Sequence, residues 1–328
     1  MSMEKLATAE ALAFLSQPRT VAICGHVNPD GDSLGSALAL AALLRAKGST
    51  VTTLLAQDSR PPELYEFLTG YDFVPAALYR DTPELFIAVD LPNPERLGDA
   101  LAVFERAGDT FAIDHHPDYT GFCHHYYGTT EAAATGLLIW ELIRESGIEI
   151  SREIAEYCYV ALVTDTGRFS FQNTTARSLT AAGEMVMAGV DPAGMNMKIY
   201  DSRSLAALML DARLISRITF SSDKCVVYSW VTEEDFKELG LSRDETEGLP
   251  TILRSVREAD VAILLREESG QVRVNLRAKT GKDVGEFARR FNGGGHKAAA
   301  GFTLKMTLDE ARALILGKAE NLLCCKGS

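Results

Sequence analysis

Residues 21–33 read VAICGHVNPDGDS, a short apolar run of strand length followed by a polar loop. Two further apolar runs, LFIAV at 85–89 and FAI at 111–113, also end at, or within two residues of, an Asp or a His. Stretches with helical character, 33–47 and 132–146, each end before a glycine. Strands that alternate with helices predict a doubly wound α/β domain built on a parallel sheet.

Acidic residues and histidines follow the apolar runs. His26, Asp90 and Asp114 come after the three runs above, and Asp165 follows 160–163, a strand or the end of a buried helix. Open α/β sheets bind ligands at the carboxyl ends of their strands. We therefore expect these side chains to converge on one edge of the sheet.

The second half of the chain has a different pattern. Residues 195–215 predict a connecting helix, after which apolar runs at 226–230, 260–265 and 271–276 predict strands. Helices are predicted at 232–239, 246–258 and 307–323. We predict a catalytic domain over 1–192, a helical linker over 193–215 and a smaller α/β domain over 216–328, with the active site in the cleft between the domains.

Composition restricts the function. Hydrophobic residues make up 46% of the 328, and Asp+Glu exceed Lys+Arg by 45 to 33, so the net charge is −12. This composition excludes disordered and fibrous proteins and argues against a protein that grips long duplex DNA or a membrane surface. We find neither a signal peptide nor a transmembrane segment, and therefore expect a cytoplasmic protein. The six cysteines form no Cys-x-x-Cys pair, so no zinc finger is indicated.

The candidate site residues are five carboxylates and three imidazoles. Each short motif, taken alone, also fits a turn or a helix cap. At one edge, however, the carboxylates would repel one another unless cations neutralised them. Oxygen ligands with a few imidazoles suit Mn²⁺ or Mg²⁺ better than zinc, and a metal pair is typical of phosphoester hydrolysis. The eight residues are His26, Asp30, Asp32, Asp90, Asp114, His115, His116 and Asp165.

These motifs resemble the DHH phosphoesterase superfamily. The match comprises His26-x-Asn-Pro-Asp30-Gly-Asp32, Asp90, Asp114-His115-His116 and Asp165 in the family's order, with Gly293-Gly294-Gly295-His296 similar to the DHH-associated domain. Within the superfamily the chain is most similar to the NrnA-type branch. That branch comprises bifunctional oligoribonucleases that also remove the 3′-phosphate of adenosine 3′,5′-bisphosphate (pAp). The resemblance covers about residues 8–322.

The resemblance implies a ligand set. One metal would be held by His26, Asp30 and Asp90, and the other by Asp32, Asp90, His115 and Asp165. The metals would be two Mn²⁺, with Mg²⁺ or Co²⁺ as substitutes. His116 would contact the scissile phosphate, and Asp114 would orient the adjacent histidines.

The glycine-rich motif suggests substrate binding. Gly293, Gly294 and Gly295 would let the backbone approach a phosphate, and a helix-like segment from His296 to Ala300 would offer N–H groups. Taken alone, the motif also fits a flexible turn before a strand. Arg277 and Lys279 are further candidate phosphate contacts. The family's Leu-Arg-Ser pattern reads Leu-Arg-Ala here, so a hydroxyl contact at Ala278 is not expected.

The predicted function is hydrolysis of short RNA to mononucleotides and of pAp to AMP by a hydroxide that two metals activate. Alternatives are a phosphodiesterase for c-di-AMP or pApA, a RecJ-like exonuclease, a pyrophosphatase of the second family, and a nucleotide sensor without turnover. The acidic charge disfavours long strands, and the glycine-rich motif disfavours the pyrophosphatase. Expected partners are therefore short oligoribonucleotides and nucleotide bisphosphates; the sequence leaves a homodimer open.

Overall fold

The computed structural model describes residues 3–57, 60–68, 73–242, 248–279 and 281–323. The chain divides into two compact units, Met1–Ser202 and Arg203–Ser328. No helix in these described ranges is both long and apolar enough to cross a bilayer.

The first unit contains a parallel sheet of seven strands in the order β1-β7-β6-β5-β2-β3-β4. Its strands are β1 (Glu4–Lys5), β2 (Thr20–Cys24), β3 (Thr50–Leu55), β4 (Phe73–Pro75), β5 (Leu85–Val89), β6 (Asp109–Asp114) and β7 (His125–Gly128). Its α-helices are α1 (Thr8–Leu15), α2 (Gly31–Ala46), α3 (Leu101–Glu105), α4 (Thr135–Ser146), α5 (Arg152–Asp165), α6 (Ala176–Met187) and α7 (Pro192–Tyr200). Apolar clusters lie on both faces of the sheet, which confirms the doubly wound architecture.

The strand order reverses between β2 and β5. From β2 the chain adds β3 and β4 on one side, and from β5 it adds β6 and β7 on the other. Ligands of open α/β sheets bind at this kind of switch point, beyond the carboxyl ends of the strands. His26 follows β2 and Asp90 follows β5, so the sheet places both at that point.

Helices α2 and α5 approach each other closely because α2 carries glycines. A Cβ atom on Gly35 would lie 2.4 Å from the carbonyl oxygen of Tyr157, and one on Gly31 would lie 2.6 Å from the Thr164 side chain. Real side chains cannot occupy such positions without a backbone shift. This packing brings Asp32, in the first turn of α2, toward Asp165, the last residue of α5.

The second unit is a mixed six-stranded sheet in the order β12-β13-β11-β10-β9-β8. Its strands are β8 (Thr219–Phe220), β9 (Val226–Val231), β10 (Val261–Glu268), β11 (Gln271–Ala278), β12 (Gly294–Gly295) and β13 (Ala299–Leu304). Its α-helices are α8 (Leu205–Ser216), α9 (Glu233–Leu239), α10 (Leu249–Arg254), α11 (Val284–Arg289) and α12 (Leu308–Leu322). Helices α11 and α12 pack on one face of the sheet, and α8, α9 and α10 pack on the other. The predicted smaller α/β domain is therefore confirmed.

Three local predictions need correction. The connecting helix predicted over 195–215 is two helices, because Ser204 caps a new helix by accepting a hydrogen bond from Ala207 N at 3.0 Å. The helix predicted over 246–258 spans only Leu249–Arg254, and residues 246–247 lie outside the described ranges. The helix-like segment predicted after the glycine motif is wrong, since Ala299 onward forms β13 in an antiparallel pair with β11.

Candidate metal centre

The structure brings six of the eight predicted residues into two overlapping groups, and the other two, His116 and Asp114, form a hydrogen-bonded pair beside Asp90. In the first group, His26 Nε2 lies 3.7 Å from Asp30 Oδ1 and 3.5 Å from Asp90 Oδ2. His26 and Asp30 come from the loop after β2, and Asp90 directly follows β5. One ligand atom from each of these three side chains lies within 4.8 Å of the others.

The second group surrounds His115, which follows β6. Its Nε2 lies 3.9 Å from Asp32 Oδ2, 3.6 Å from Asp90 Oδ1 and 3.6 Å from Asp165 Oδ2. His115, Asp32 and Asp90 are buried, whereas the Asp165 side chain is 32% exposed. The second group therefore has one side that solvent or a substrate can reach.

Asp90 belongs to both groups. Its Oδ2 faces His26 and its Oδ1 faces His115, and Thr135 Oγ1 donates a hydrogen bond of 3.1 Å to Oδ1. The backbone of Asp90 has a φ of 59°, in the left-handed region that residues other than glycine seldom adopt. Strained conformations of this kind concentrate at functional sites.

His26 and His115 present Nε2 to the carboxylates of the two groups. In these two residues and in His116, Nδ1 lies within hydrogen-bond distance of an oxygen acceptor, which favours a proton on Nδ1. The pairs are His26 with the Val27 carbonyl at 2.8 Å, His115 with the Ala132 carbonyl at 3.2 Å, and His116 with Asp114 Oδ1 at 2.7 Å.

The donor set fits divalent cations. Nitrogen–oxygen distances of 3.5–3.9 Å around His26 and His115 are too long for hydrogen bonds. They suit ligands of a common ion, since two atoms about 2.1 Å from one metal lie about 3.0–4.2 Å apart. The second oxygen of Asp114, which is fully buried, has no hydrogen-bond partner among the described residues.

Without cations, the neighbouring carboxylates would repel one another if all of them were ionised. Burial, and then the charge of Asp90, raises the pKa of Asp32 well above its usual range. Burial also raises the pKa of Asp165. The nearby His115 lowers this pKa, whereas the charges of Asp90 and Asp30 raise it further. Divalent cations would remove this repulsion, so the arrangement suits a two-metal centre.

Several supporting residues were not predicted. Asp32 accepts hydrogen bonds from Thr135 N at 2.7 Å, Gly136 N at 2.9 Å and Ser36 Oγ at 2.9 Å, so the N-terminus of α4 anchors it. Asn173 Nδ2 donates to the Asp165 carbonyl oxygen at 3.1 Å. These residues are not marked by any short motif, and Thr135 and Gly136 are more than 100 residues from Asp32 in the sequence.

His124 and His125 lie elsewhere. His124 Nδ1 is 2.7 Å from Asp109 Oδ1, and His125 Nε2 is 3.2 Å from Asp109 Oδ2. Asp109 is the first residue of β6, whereas Asp114 is the last. The two histidines therefore lie at the opposite edge of the sheet from the candidate metal centre.

The predicted substrate-binding residues lie in the second unit, around β11 and β13. Arg277 pairs with Ala299 across these strands, and Gly295 pairs with Ala300. Lys279 Nζ donates a hydrogen bond to the Val256 carbonyl oxygen. His296 lies in the turn between β12 and β13, half-buried.

The three glycines of the motif differ. A Cβ atom on Gly293 would lie 2.3 Å from the Gly301 carbonyl oxygen, and one on Gly295 would lie 2.5 Å from the Ala299 carbonyl oxygen. Packing on β13 thus explains these two glycines. A Cβ atom on Gly294 would meet no described atom within 4 Å, so Gly294 is where a ligand could approach the backbone.

Comparison with known proteins assigns the class. Residues 20–162 match the DHH family, N-terminal domain, and residues 223–322 match the DHHA1 domain. The chain therefore carries a DHH-family N-terminal domain and a DHHA1 domain.

Particular relatives align over nearly the full length. The bifunctional oligoribonuclease and PAP phosphatase NrnA of Bacillus subtilis is 28% identical, with 93% of this chain and 96% of the relative covered. The NrnA of Thermus thermophilus is 29% identical, with 94% and 91% covered. The crystal structure of an exopolyphosphatase-related protein from Bacteroides fragilis has a TM-score of 0.88 at 24% identity, covering 96% of this chain and 97% of that one. This last likeness establishes the shared fold.

Proposed function

We propose that this protein is a metal-dependent phosphoesterase that hydrolyses short oligoribonucleotides to mononucleotides and removes the 3′-phosphate of pAp to give AMP. Two relatives that span almost the whole chain carry the name of that pair of activities. The substrates are short and anionic, which agrees with an acidic chain whose attraction for phosphate is local. We also propose that the protein acts in the cytoplasm.

The observation that carries the proposal is the position of Asp90 between two groups of candidate metal ligands. One carboxylate oxygen faces His26 and the other faces His115, at 3.5 Å and 3.6 Å. His26, Asp30 and Asp90 would hold one cation, and Asp32, Asp90, His115 and Asp165 the other. When bound, such a metal pair supplies Lewis-acid stabilisation of the phosphate and activation of the attacking water.

The chain's own residues orient the reaction. His116 would direct Nε2 at a phosphate oxygen, because Asp114 holds its Nδ1. Burial would lower the pKa of His116, but the hydrogen bond to Asp114 raises it to about 9. His116 therefore suits the stabilisation of negative charge on the phosphate. Arg277, Lys279, Gly294 and His296 would contribute to binding the rest of the substrate.

We propose Mn²⁺ as the preferred metal. Four carboxylates with two imidazoles form an oxygen-rich set, which favours six-coordinate Mn²⁺ or Mg²⁺ over zinc, and imidazole favours Mn²⁺ over Mg²⁺. Reconstitution of metal-stripped protein with Mn²⁺, Mg²⁺, Co²⁺ or Zn²⁺, followed by activity measurements, tests this choice. Full activity with Zn²⁺ and little with Mn²⁺ would contradict it.

The function is tested by incubating the Mn²⁺-loaded protein with pAp, a labelled RNA trimer, an RNA 24-mer, c-di-AMP and pApA. An Asp90→Asn variant serves as the inactive control. We expect AMP from pAp and stepwise mononucleotides from the trimer, with much slower turnover of the 24-mer. Turnover of c-di-AMP or pApA alone would replace the proposal with signalling-nucleotide breakdown. Binding of nucleotides without any product would indicate a sensor.

A further inference from the structure

Strand β11 presents two chemically different faces. Its side chains alternate between buried and more exposed, as expected for a strand with one face in the core. The buried set packs with α11 and α12 in the apolar core and comprises Val272, Val274, Leu276 and Ala278. The opposite face carries Arg273, Asn275 and Arg277, which we call the polar strip.

The neighbouring strand supplies a floor of small residues. Across β13, the partners of Arg273, Asn275 and Arg277 are Thr303, Gly301 and Ala299 respectively. The missing Cβ of Gly301 would lie 3.6 Å from Asn275 Nδ2 and 3.8 Å from Arg273 Nη2, so both side chains extend over the glycine. Arg273 Nη1 also donates to Thr303 Oγ1 at 3.3 Å. The donor groups of Arg273 and Asn275 therefore lie over a part of β13 that has only small side chains.

Within the second unit, helices cover only part of this face. The apolar cluster beneath α8, α9 and α10 uses side chains from β9 and β10, and no described side chain of β11 or β13 belongs to it. Arg273 is exposed, and Asn275 and Arg277 are half-buried. On the adjacent strand β10, Arg266 shares the face of Arg273 and pairs with Glu268 at 2.5 Å.

The chemistry of the polar strip points to a phosphodiester chain. A guanidinium group binds a phosphate through two parallel hydrogen bonds, and an amide can donate to or accept from a base edge or a 2′-hydroxyl. Same-face residues on a strand lie about 6.8 Å apart, so Arg277 and Arg273 are separated by about 13–14 Å along β11. A single nucleotide at Arg277 is too short to reach Arg273, whereas an oligonucleotide of a few residues can.

We propose that the polar strip binds the ribose–phosphate backbone of nucleotides beyond the first, with Arg273 contacting a phosphate that pAp does not possess. This inference rests on the proposed function, because it assigns the nucleotide at Arg277 to the phosphoesterase substrate. Arg273 and Asn275 thereby select for oligonucleotide length, whereas the metal centre serves both substrates.

The test compares Arg273→Ala and Asn275→Ala with wild type on pAp and on RNA of two, three and five nucleotides. The matched control is Arg257→Ala, since Arg257 is in the same unit and its side chain is 94% exposed. We expect Arg273→Ala to lower kcat/KM for the pentamer about 10-fold, as loss of one phosphate contact would, and to leave pAp within about twofold. Arg273→Lys should recover part of the loss, because the charge remains without the bidentate geometry.

A binding measurement separates this inference from the proposed function. Fluorescence anisotropy with a labelled RNA pentamer and metal-free full-length protein needs no turnover. Arg273→Ala should weaken binding and reduce the slope of log affinity against log salt by about 0.7. The proposed role of the polar strip would be overturned if Arg273→Ala reduced turnover of pAp and pentamer equally. It would also be overturned if Arg273→Ala left both binding and turnover of the pentamer unchanged. A wild-type protein that turns over neither substrate but binds the pentamer through Arg273 would refute only the phosphoesterase function.

Discussion

The buried carboxylate of Asp114 lies 2.7 Å from His116 Nδ1, and Asp109, at the other end of the same strand, lies 2.7 Å from His124 Nδ1. The two Asp–His pairs have the same oxygen–nitrogen distance, but only the first adjoins the carboxylates and imidazoles of the candidate metal centre. Strand β6 therefore carries one Asp–His pair at the candidate metal centre and a comparable pair away from it.

The Asp114–His116 pair predicts a catalytic defect. In Asp114→Asn, the amide oxygen can still accept the hydrogen bond from His116 Nδ1, but the negative charge is lost. We expect kcat on pAp to fall about 10- to 100-fold, the usual effect of losing such a supporting partner, with Mn²⁺ content unchanged. Asp109→Asn should retain kcat within about twofold. Equal effects of the two substitutions would contradict a catalytic role for the first pair.

The shared position of Asp90 predicts unequal metal loss. Asp30→Asn and Asp90→Asn are isosteric, and the amide introduced by Asp30→Asn can still cap α2, where Asp30 Oδ1 accepts from Ser33 N at 3.0 Å. Dialysis followed by elemental analysis should find about two Mn²⁺ per chain in wild type, about one in Asp30→Asn and little in Asp90→Asn. Circular dichroism spectra verify that each variant is folded. Equal stoichiometry in both variants would argue against a bridging role for Asp90.

The close approach of α2 and α5 predicts that a side chain at position 35 destabilises the fold. A methyl group there would collide with the Tyr157 carbonyl oxygen, so Gly35→Ala should lower the free energy of unfolding by about 1–3 kcal/mol. Gly183, in α6, has no described atom within 4 Å of its missing Cβ. Gly183→Ala should therefore be neutral or stabilise by up to about 1 kcal/mol. Urea denaturation measures both, and a harmless Gly35→Ala would show that the helices can separate.

The Asp235 carboxylate predicts acid sensitivity of the second unit. Burial alone would raise its pKa, but hydrogen bonds from Arg217, Thr232 and Arg213 hold it well below the usual value of 3.8. A depressed pKa contributes stability at neutral pH, and this contribution is lost as the pH falls below the usual value toward that of the folded state. Asp235→Asn should therefore lower Tm by several degrees at pH 7, and the difference should shrink as the pH falls from about 5 to about 2.

Glu234→Gln is the control for that measurement, because Glu234 is in the same helix and its side chain is 64% exposed. Its ion pair with Lys237 is also exposed, so the substitution should change Tm little at any pH. A pH-independent gap between wild type and Asp235→Asn would show that the carboxylate stabilises the fold without its charge.

The sequence predicted where the centre would form, because parallel strands end at a common edge. His26, Asp90 and Asp114 are each tied to a strand end, so their approach follows from sheet topology alone. The sequence could not predict that Thr135 and Gly136 would donate to Asp32, since α4 lies more than 100 residues further along the chain. Contacts of that kind depend on how the helices pack.

The segment after the glycine motif was predicted incorrectly. Ala298, Ala299 and Ala300 favour a helix by intrinsic propensity. Ala299 and Ala300 instead begin β13, in which burial alternates through Phe302 and Leu304 and pairing with β11 fixes the strand. Propensity was a weak guide because tertiary pairing decides the conformation of a short segment.

The left-handed backbone of Asp90 links metal binding to folding. An unfolded chain seldom samples that conformation at a residue other than glycine, and holding it costs of order 1–3 kcal/mol. Cations that bound only the folded arrangement would offset this cost by mass action. In the proposed two-metal centre, the ions would therefore also stabilise the strained link between β5 and the loop after it, and depletion of metal would destabilise the switch point of the sheet.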